Sequence, residues 1–357
     1  MTLLKLDILS VRNIHRATLL PSPSVNFIIG PNASGKSSLL EAIFILGRAR
    51  SFRAAQIRQA IEFDQTDLIV SAQVRQQNEQ LSQLGIQINQ QKYDIHINRE
   101  TKSKSDLAYF LPLQLIHPKS YRLLDAGPQV RREFIDWGSF NDQPNFLPAW
   151  RNFKKVLQQR NSLLKRGLAK EVHVWNLELV KYGVLVNEYR ENYIRRLQPV
   201  FLDVCRYFLA DVDLELNYFC GWDREQDLLQ VLDRDHDKDM RYGYTHSGPH
   251  RADFKLLFHG RNARDYVSRG QLKLLVLGLK LAQVELLHLH SGRPVYILID
   301  DLSAELDTVN RTKLVKYLAD LNCQVFMSST ELADFGEIND IENYKVFHVE
   351  HGAIASP

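Results

Sequence analysis

The stretch Gly30–Ser37, with the sequence GPNASGKS, constrains the fold of this chain more than any other segment. It fits the pattern G-x-x-x-x-G-K-[ST], in which backbone N–H groups and a lysine surround phosphate oxygens at the start of a helix. The apolar run 25–29 before it is typical of a buried strand, and residues 38–44 after it are typical of a helix. A strand, a glycine-rich loop and a helix in this order predict a nucleotide-binding protein of the α/β class.

Two side chains of the loop have specific expected partners. Lys36 is expected to contact the β- and γ-phosphates, and the hydroxyl of Ser37 is expected to bind Mg²⁺. A glycine-rich turn that fits the pattern by chance is the alternative, and the flanking strand and helix argue against it. The predicted nucleotide contacts are Gly30, Pro31, Asn32, Ala33, Ser34, Gly35, Lys36 and Ser37.

A second motif lies far along the chain. The apolar run 295–299 ends in Asp300 and Asp301, and the sequence LSAELD follows at 302–307. An apolar strand that ends in two acids is the Walker B pattern. In such a site Asp300 orients the shell of Mg²⁺, and Asp301 positions and activates a water molecule. The pair of motifs therefore predicts an ATPase.

Length and composition limit the remaining possibilities. At 357 residues the chain exceeds the usual size of one domain, so two lobes are expected. The three cysteines are widely spaced and form no CxxC, which argues against a disulfide framework or a zinc site and favours a cytoplasmic location. No apolar run reaches about 18 residues, so no membrane span is predicted. The net charge of +3 is too small to indicate nucleic acid by itself.

The segments between the two motifs predict a sheet and a helical hairpin. Residues 67–97 alternate between apolar and polar, which is typical of an antiparallel meander. Residues 146–164 and 175–193 carry apolar side chains at helical spacing, with one polar interruption between Leu157 and Leu164 in the first segment. The Arg166-Gly167 break between them predicts that the two helices fold back on each other.

Charge is distributed unevenly over this region. Residues 143–170 contain seven basic residues and no acidic one. A helix face with a single sign of charge is a candidate track for DNA phosphates, and a solvated face is the alternative. The predicted DNA contacts are Arg151, Lys154, Lys155 and Arg160. The segment Asp211–Asp239 carries ten acids against three bases. Its alternate acids Asp233, Asp235, Asp237 and Asp239 have the spacing of a calcium loop, but no glycine and no terminal glutamate complete that loop, so the segment is interpreted as a solvated loop.

Together these motifs resemble the ABC-type ATPase heads of the SMC-like group, over essentially the whole chain. The resemblance is carried by Val11–Ile14, the GPNASGKS loop, 46–53, Gln114, Gly127–Arg132 with Asp136, Gly248–Asp253, Ser268–Gln271 and Asp300–Asp307. It implies an α/β fold in which an ABC-type P-loop ATPase head carries an inserted α-helical arm lobe. The expected boundaries are 1–125 for the first half of the head, 126–243 for the arm and 244–357 for the second half.

The resemblance also implies roles for residues that the two motifs leave out. Gln114 is expected to sense the γ-phosphate and to share Mg²⁺ with Ser37 and Asp300, and Arg12 is expected to contact the nucleotide. The signature residues Ser268, Gly270 and Gln271 and the D-loop residue Asp307 are expected to meet ATP across a homodimer in which two heads enclose two nucleotides. The implied catalytic residues are Lys36, Asp300, Asp301 and Gln114.

The implied function is an ATP-driven clamp for single-stranded and gapped duplex DNA, with weak DNA-stimulated ATPase activity and with mediator proteins that load a recombinase as partners. Asp301 stands where most ABC enzymes have glutamate, and no histidine follows the run 324–327, so fast hydrolysis is not expected. A transporter ATPase is disfavoured by the large basic insert. A nuclease-associated ATPase is disfavoured because the roughly 50 residues after Asp307 leave no room for an acidic catalytic domain.

Overall fold

The computed structural model describes residues 2–210, 212–293, 295–302, 306–321, 323–339 and 341–355. The chain forms two compact units. The first comprises residues up to 120 together with those from 292 onward, and the second comprises residues 121–291. The segment 244–291, which we expected in the ATPase head, therefore lies in the second unit. Its long helix, residues 269–291, packs there on the helix formed by residues 169–208.

The first unit contains two six-stranded sheets, of which one is antiparallel with the strand order β2-β1-β4-β5-β6-β7. Every second residue along β4 and β5 is buried, which confirms the meander predicted for 67–97. The strands of this sheet are β1 (Thr2–Val11), β2 (Ile14–Leu19), β4 (Asp67–Arg75), β5 (Leu81–Asn89), β6 (Tyr93–Ile97) and β7 (Glu100–Thr101).

The other sheet has the order β15-β14-β3-β13-β12-β8 and is parallel except at β15. Its strands are β3 (Val25–Ile29), β8 (Leu113–Ile116), β12 (Tyr296–Ile299), β13 (Gln324–Ser329), β14 (Tyr344–Glu350) and β15 (Ala353–Ala355). Every residue of β3, β8, β12 and β13 is buried, as expected for a parallel sheet that is covered on both faces. The parallel register brings the ends of β3 and β12, and with them the two motifs, to the same edge.

Helix α1 (Lys36–Arg48) leaves the glycine-rich loop and packs against strands of both sheets. It is buried at nine of its positions, because apolar side chains of one continuous core surround it. The unit also contains α2 (Lys104–Phe110), α11 (Thr308–Asp320) and the 3₁₀ turns Ile57–Ala60 and Leu332–Phe335. The α/β class predicted from the sequence is confirmed.

The second unit is mainly helical and includes a small antiparallel sheet of order β11-β10-β9. Its helices are α3 (Arg122–Asp125), α4 (Pro128–Asp142), α5 (Phe146–Lys165), α6 (Ala169–Phe208), α7 (Leu228–Arg234), α8 (His236–Tyr242), α9 (Ala263–Tyr266) and α10 (Arg269–Ser291). Its strands are β9 (Leu214–Phe219), β10 (Asp253–Phe258) and β11 (Arg261–Asn262), and a 3₁₀ turn spans Pro249–Arg251. Helices α5 and α6 pack along each other around an apolar cluster, which confirms the predicted hairpin. Across the described residues, no helix combines the length and the apolar character needed to cross a membrane.

The described part of the acidic segment, residues 212–239, contains more regular structure than the sequence suggested. It contains β9, α7 and the start of α8. Asp239 has no exposed surface and forms an ion pair with Arg160 of α5 at 2.7 Å. The interpretation of this segment as a solvated loop is therefore wrong for Asp239, since a buried guanidinium compensates its charge.

Candidate nucleotide-binding site

Two glycines of the loop between β3 and α1 are required by its geometry. A Cβ atom on Gly30 would lie 2.1 Å from the carbonyl oxygen of Val349 in β14, so no larger residue fits there. Gly35 has a φ of 123°, which side-chain-bearing residues rarely adopt. Ala33 also has a positive φ, of 63°. The loop thus wraps tightly before α1 begins at Lys36, and the free N–H groups of the first helical turn point at its centre.

The Lys36 side chain folds back into this loop. Its Nζ donates to the carbonyl oxygens of Gly30 at 2.7 Å and Pro31 at 2.9 Å. Partial burial lowers the pKa of Lys36, while the charges of Asp301 and Asp300 oppose that shift. The ammonium group is therefore held where phosphate oxygens would meet both it and the helix N-terminus.

The two sequence motifs meet at Asp300. The hydroxyl of Ser37 donates to Oδ1 of Asp300 at 2.8 Å, and the hydroxyl of Ser328 at the end of β13 donates to the same atom at 3.0 Å. The Ser328 oxygen also accepts the backbone N–H of Asp301 at 3.0 Å. Burial raises the pKa of Asp300, and the two serine hydroxyls counteract this. Ser328 therefore fixes both acids of the Walker B pair relative to the loop.

A cavity of about 540 Å³ opens above these groups, within the size range of small-molecule sites. Residues of both motifs line this cavity, and both motifs lie in the first unit. The residues that line it are Arg12, Asn13, Asn32–Ser38, Arg53, Gln59, Ile61, Asp300, Asp301, Ser328 and Thr330.

Arg12 reaches this cavity because an acid of α1 holds it. Its Nε and Nη2 donate to the two carboxylate oxygens of Glu41, each at 2.9 Å, and the Glu41 side chain has no exposed surface. Arg53 lies 3.6 Å from the same carboxylate. A buried glutamate thus positions two guanidinium groups at the rim, where they can meet an anionic ligand.

Several residues of the cavity were not predicted as site residues. Among them are Arg53, Ser328 and Thr330. Asn13 donates to the carbonyl oxygen of Ser34 at 3.1 Å and so supports the loop. Ser328 lies at the end of β13, the strand that pairs with the Walker B strand, and this position could have identified it.

The structure does not bring Gln114 to this cavity. Gln114 is buried within β8, where it pairs with Ile297, three residues before Asp300. At about 3.3 Å per residue it lies roughly 10 Å back along the strand from the Walker B acids. His117, which follows the strand, lies closer to the site edge and packs against Phe52.

The signature and D-loop residues are exposed and form the N-terminal caps of two helices. Ser268 and Gln271 exchange hydrogen bonds at the start of α10, where each side chain bonds the backbone N–H of the other. This is a capping box, so a structural role accounts for both residues. Asp307 caps α11 by accepting the N–H of Asn310 at 2.9 Å, and the hydrogen bonds that it accepts lower its pKa. Residues 303–305 of the predicted motif lie outside the described residues.

Three of the four predicted DNA contacts lie on the exposed face of α5. Arg151, Lys154 and Lys155 are solvent-exposed, and they line a groove of about 740 Å³ along this helix. Arg160 is different, since its side chain has no exposed surface. It bonds Asp239, Thr245 and Asn176 at 2.7 to 2.9 Å. The prediction that Arg160 contacts DNA is wrong, because a fully buried guanidinium cannot reach a phosphate.

Fold and site together define a P-loop ATPase head of the ABC type. A scan of known families matches residues 2–355 to the RecF/RecN/SMC N terminal domain. Two relatives are called DNA replication and repair protein RecF, one from Pseudomonas aeruginosa (strain LESB58) and one from Pseudomonas putida (strain F1). Each is 41% identical to this chain, and the alignment covers 99% of this chain and 98% of the relative. The chain therefore belongs to the RecF/RecN/SMC N-terminal domain family, and within it to the RecF proteins.

Solved structures agree with this placement. The chain is 26% identical to the recombination mediator protein RecF described with ATP in the RecFOR pathway, with a TM-score of 0.89 over 100% of this chain and 97% of that one. An SMC head bound to a winged-helix domain of ScpA shares the fold, with a TM-score of 0.60 at 14% identity over 100% of this chain and 98% of that one. The SMC-like resemblance inferred from the motifs is confirmed.

Proposed function

We propose that this protein is an ATP-dependent DNA-binding protein of recombinational repair and replication-fork maintenance. ATP drives two copies to close on DNA at gaps, the closed dimer helps to recruit mediators resembling RecR and RecO, and slow ATP hydrolysis releases it. The observation that carries the proposal is the cavity in which Ser37 bonds Asp300, since it unites the phosphate loop with a Walker B acid. Relatives named for DNA replication and repair support the biological role.

The residues of the cavity suit a nucleotide with a divalent cation. Within the described part of the chain, no group of three or more His, Cys, Asp or Glu side chains is placed to hold a metal ion. Mg²⁺ bound with a nucleotide needs fewer protein ligands, because phosphates and waters complete its shell. Ser37 and Asp300 would hold Mg²⁺, which would neutralise charge that develops on the phosphates. Lys36, the N–H groups of the first turn of α1 and Arg12 would bind the triphosphate itself.

Hydrolysis in this proposal relies on Asp301 as the group that accepts a proton from the attacking water. Its backbone is held by Ser328, which also holds Asp300, so the two acids keep different roles. The signature serine would complete the site from outside. In the closed dimer the partner subunit's Ser268 and the N-terminus of its α10 would meet the γ-phosphate.

The exposed basic face of α5 would follow DNA phosphates. Arg151, Lys154 and Lys155 are exposed along one helix, and the sequence contains no acidic residue between 143 and 170. The ammonium of Lys154 lies 5.6 Å from the ring centre of Trp150, which keeps it beside the groove.

The direct test is ATPase activity of the whole protein with and without gapped DNA. We expect DNA to raise the turnover while the DNA strands stay intact. Lys36→Ala should abolish both nucleotide binding and turnover, because it removes the ammonium that holds the phosphates. ATP turnover that is unchanged by DNA would contradict the proposal. DNA strand cleavage that depends on Lys36 would also contradict it and would favour a nuclease-associated ATPase.

A substitution of Ser268 tests the contact across the dimer. Ser268→Ala should leave ATP affinity of the monomer unchanged and prevent ATP-dependent dimers, but it also removes a helix cap worth about 1 kcal/mol. Ser268→Asp separates the two effects, since aspartate caps a helix well and repels a γ-phosphate. We expect both variants to remain monomeric with ATP in sedimentation experiments. If Ser268→Asp dimerises like wild type, the signature serine does not meet the nucleotide.

A triple substitution tests the basic face of α5. Arg151→Ala, Lys154→Ala and Lys155→Ala together should weaken DNA binding and reduce the slope of log affinity against log salt by up to about 2.7 units, at about 0.9 per lost phosphate contact. The matched control replaces Lys5, Lys92 and Lys102 by alanine, because each of these lysines ion-pairs with a neighbouring acid. Equal slopes for the two triple variants would move the DNA surface away from α5.

A further inference from the structure

A cluster of exposed aromatic rings follows α8 in the second unit. The side chains of Tyr242 and Tyr244 are 56% and 39% exposed, and the ring of His246 lies within 4.2 Å of Tyr244 and 5.4 Å of Tyr242 between centroids. We call Arg241, Tyr242, Tyr244, His246 and Arg251 the aromatic cluster. Large exposed aromatic groups of this kind mark binding surfaces more often than isolated surface tyrosines do.

Two guanidinium groups belong to the cluster. Arg241 lies 5.7 Å from the ring centre of Tyr242, and Arg251 lies 5.2 Å from that of Tyr244. Both distances allow a cation–π interaction. Neither arginine forms an ion pair or hydrogen bond with another side chain in the part of the chain that the structure describes. Their charges therefore remain available to an anionic ligand that approaches the rings.

A buried network fixes the position of the cluster. Asp239 accepts the backbone N–H of His246 at 3.0 Å and contacts its Nδ1 at 2.8 Å, while Arg160 bonds the other oxygen of Asp239. Thr245, which lies between Tyr244 and His246 in the sequence, accepts a hydrogen bond from Arg160 and donates one to Asn161, each at 2.7 Å. This network orients His246 against Tyr244, so that the rings are held ready before any ligand arrives.

The cluster adjoins the basic face of α5. Gly243, at the end of α8, lies so close to Lys165 that a Cβ atom there would be 3.2 Å from its Cγ. Lys165 in turn lines the 740 Å³ groove with Trp150, Arg151 and Lys154. A row of cations that leads to exposed rings is the arrangement that binds single strands, where the cations follow phosphates and the rings stack on bases.

We propose that the aromatic cluster is a stacking site for unpaired bases of single-stranded DNA. Tyr242 and Tyr244 stack on bases, Arg241 and Arg251 contact the adjoining phosphates, and the groove of α5 receives the duplex or strand beyond them. This inference rests on the proposed DNA-binding function and adds the place on the protein where the bases of an unpaired segment, such as a gap exposes, are held. Duplex DNA keeps its bases stacked on each other, so it cannot use the rings.

Fluorescence anisotropy with the full-length protein, ATP and Mg²⁺ tests this site. The probes are an oligothymidylate, an abasic oligonucleotide of the same length and charge, and a duplex. We expect wild type to prefer the oligothymidylate over the abasic strand, and the double variant Tyr242→Ala, Tyr244→Ala to lose roughly 5- to 100-fold in affinity for it. Affinities for the abasic strand and the duplex should stay the same, since charge is unchanged.

Two controls separate stacking from folding. Replacing both tyrosines by phenylalanine should keep the preference for bases, because the ring remains. Tyr207→Ala should change nothing, since Tyr207 is 42% exposed in the same unit but is not part of the cluster. As a second measurement, an oligonucleotide with 5-iodouracil should photocrosslink to Tyr242 or Tyr244.

The outcomes distinguish this inference from the function on which it rests. Wild type that binds none of the probes would overturn the proposed DNA-binding function and the stacking site together. Wild type that binds duplex but treats thymidylate and abasic strands alike would overturn the stacking site alone. The same holds if the alanine variant keeps the preference for bases, as it would if the rings served a protein partner.

Discussion

Replacing Asp301 by asparagine is expected to slow ATP turnover by about 100- to 10,000-fold, the range associated with the loss of a general base. An amide cannot accept the proton of the attacking water, whereas the phosphate loop and Asp300 are left intact. Because hydrolysis is the step that opens the proposed dimer, the variant should remain on DNA for longer in the same proportion.

The backbone at Asp301 makes asparagine a clean substitution. Asp301 has a φ of 53°, in the left-handed region that asparagine and aspartate tolerate better than other side-chain-bearing residues. The same geometry offers a physical reason for a short acid here, since glutamate is less suited to a positive φ. Aspartate is one methylene shorter than the glutamate found in most ABC enzymes. If the shorter base stabilises the transition state by about 2–3 kcal/mol less, turnover of the wild-type protein is roughly 30- to 200-fold slower than with glutamate. Slow hydrolysis would then act as a timer for residence on DNA.

Steady-state turnover and DNA dissociation, measured side by side, check this prediction. Asp300→Asn is the matched control. Because Asp300 accepts a hydrogen bond from Ser37 at the proposed Mg²⁺ site, this substitution should first weaken the affinity for Mg²⁺. Wild-type turnover of tens per second would contradict the timer. So would an Asp301→Asn protein that leaves DNA as quickly as wild type.

Replacing Arg160 by alanine is expected to destabilise the second unit by about 3–5 kcal/mol, the cost of breaking a buried ion pair on one side. Asp239, which has no exposed surface, would lose the guanidinium that compensates it, and Thr245 would lose a hydrogen bond. At roughly 2–4 °C per kcal/mol for a unit of this size, the melting temperature should fall by about 6–20 °C.

Tryptophan fluorescence reports on this unit selectively. All four tryptophans of the chain, at 137, 150, 175 and 222, lie between residues 121 and 291. Lys154→Ala on the same helix is the control, since its side chain is exposed, and it should change the melting temperature by little. Arg160→Ala with the melting temperature of wild type would show that the ion pair is not buried in solution.

The sequence predicted those parts of the protein that depend on local pattern. Strand, loop and helix around Gly30–Ser37 follow from glycine positions and apolar runs, and the meander follows from strict alternation. The prediction for Arg160 was wrong because it rested on the number of basic residues in 143–170 and did not consider which face of the helix each residue occupies. Spaced three residues from Leu157 and four from Leu164, Arg160 occupies the polar interruption in the apolar seam, and this seam faces α6.

The remaining differences depend on long-range contacts that local pattern does not contain. The burial of Asp239 depends on α5, 79 residues away in sequence. The assignment of 244–291 to the second unit depends on how α10 packs, where Gly278 allows Cys205 and Phe201 of α6 to approach closely. The role of Ser328 depends on the order of parallel strands, because β13 lies between β3 and β12.

The central claim is that ATP closes two copies of this protein on DNA. Light scattering of the full-length protein with ATP and Mg²⁺, with ADP and Mg²⁺, and without nucleotide, each with and without gapped DNA, tests it most directly. We predict a protein mass of 41.4 kDa without nucleotide and with ADP, and twice that mass with ATP, whether or not DNA is bound. A single-copy mass under all conditions, or a dimer that forms equally without ATP, would contradict the claim.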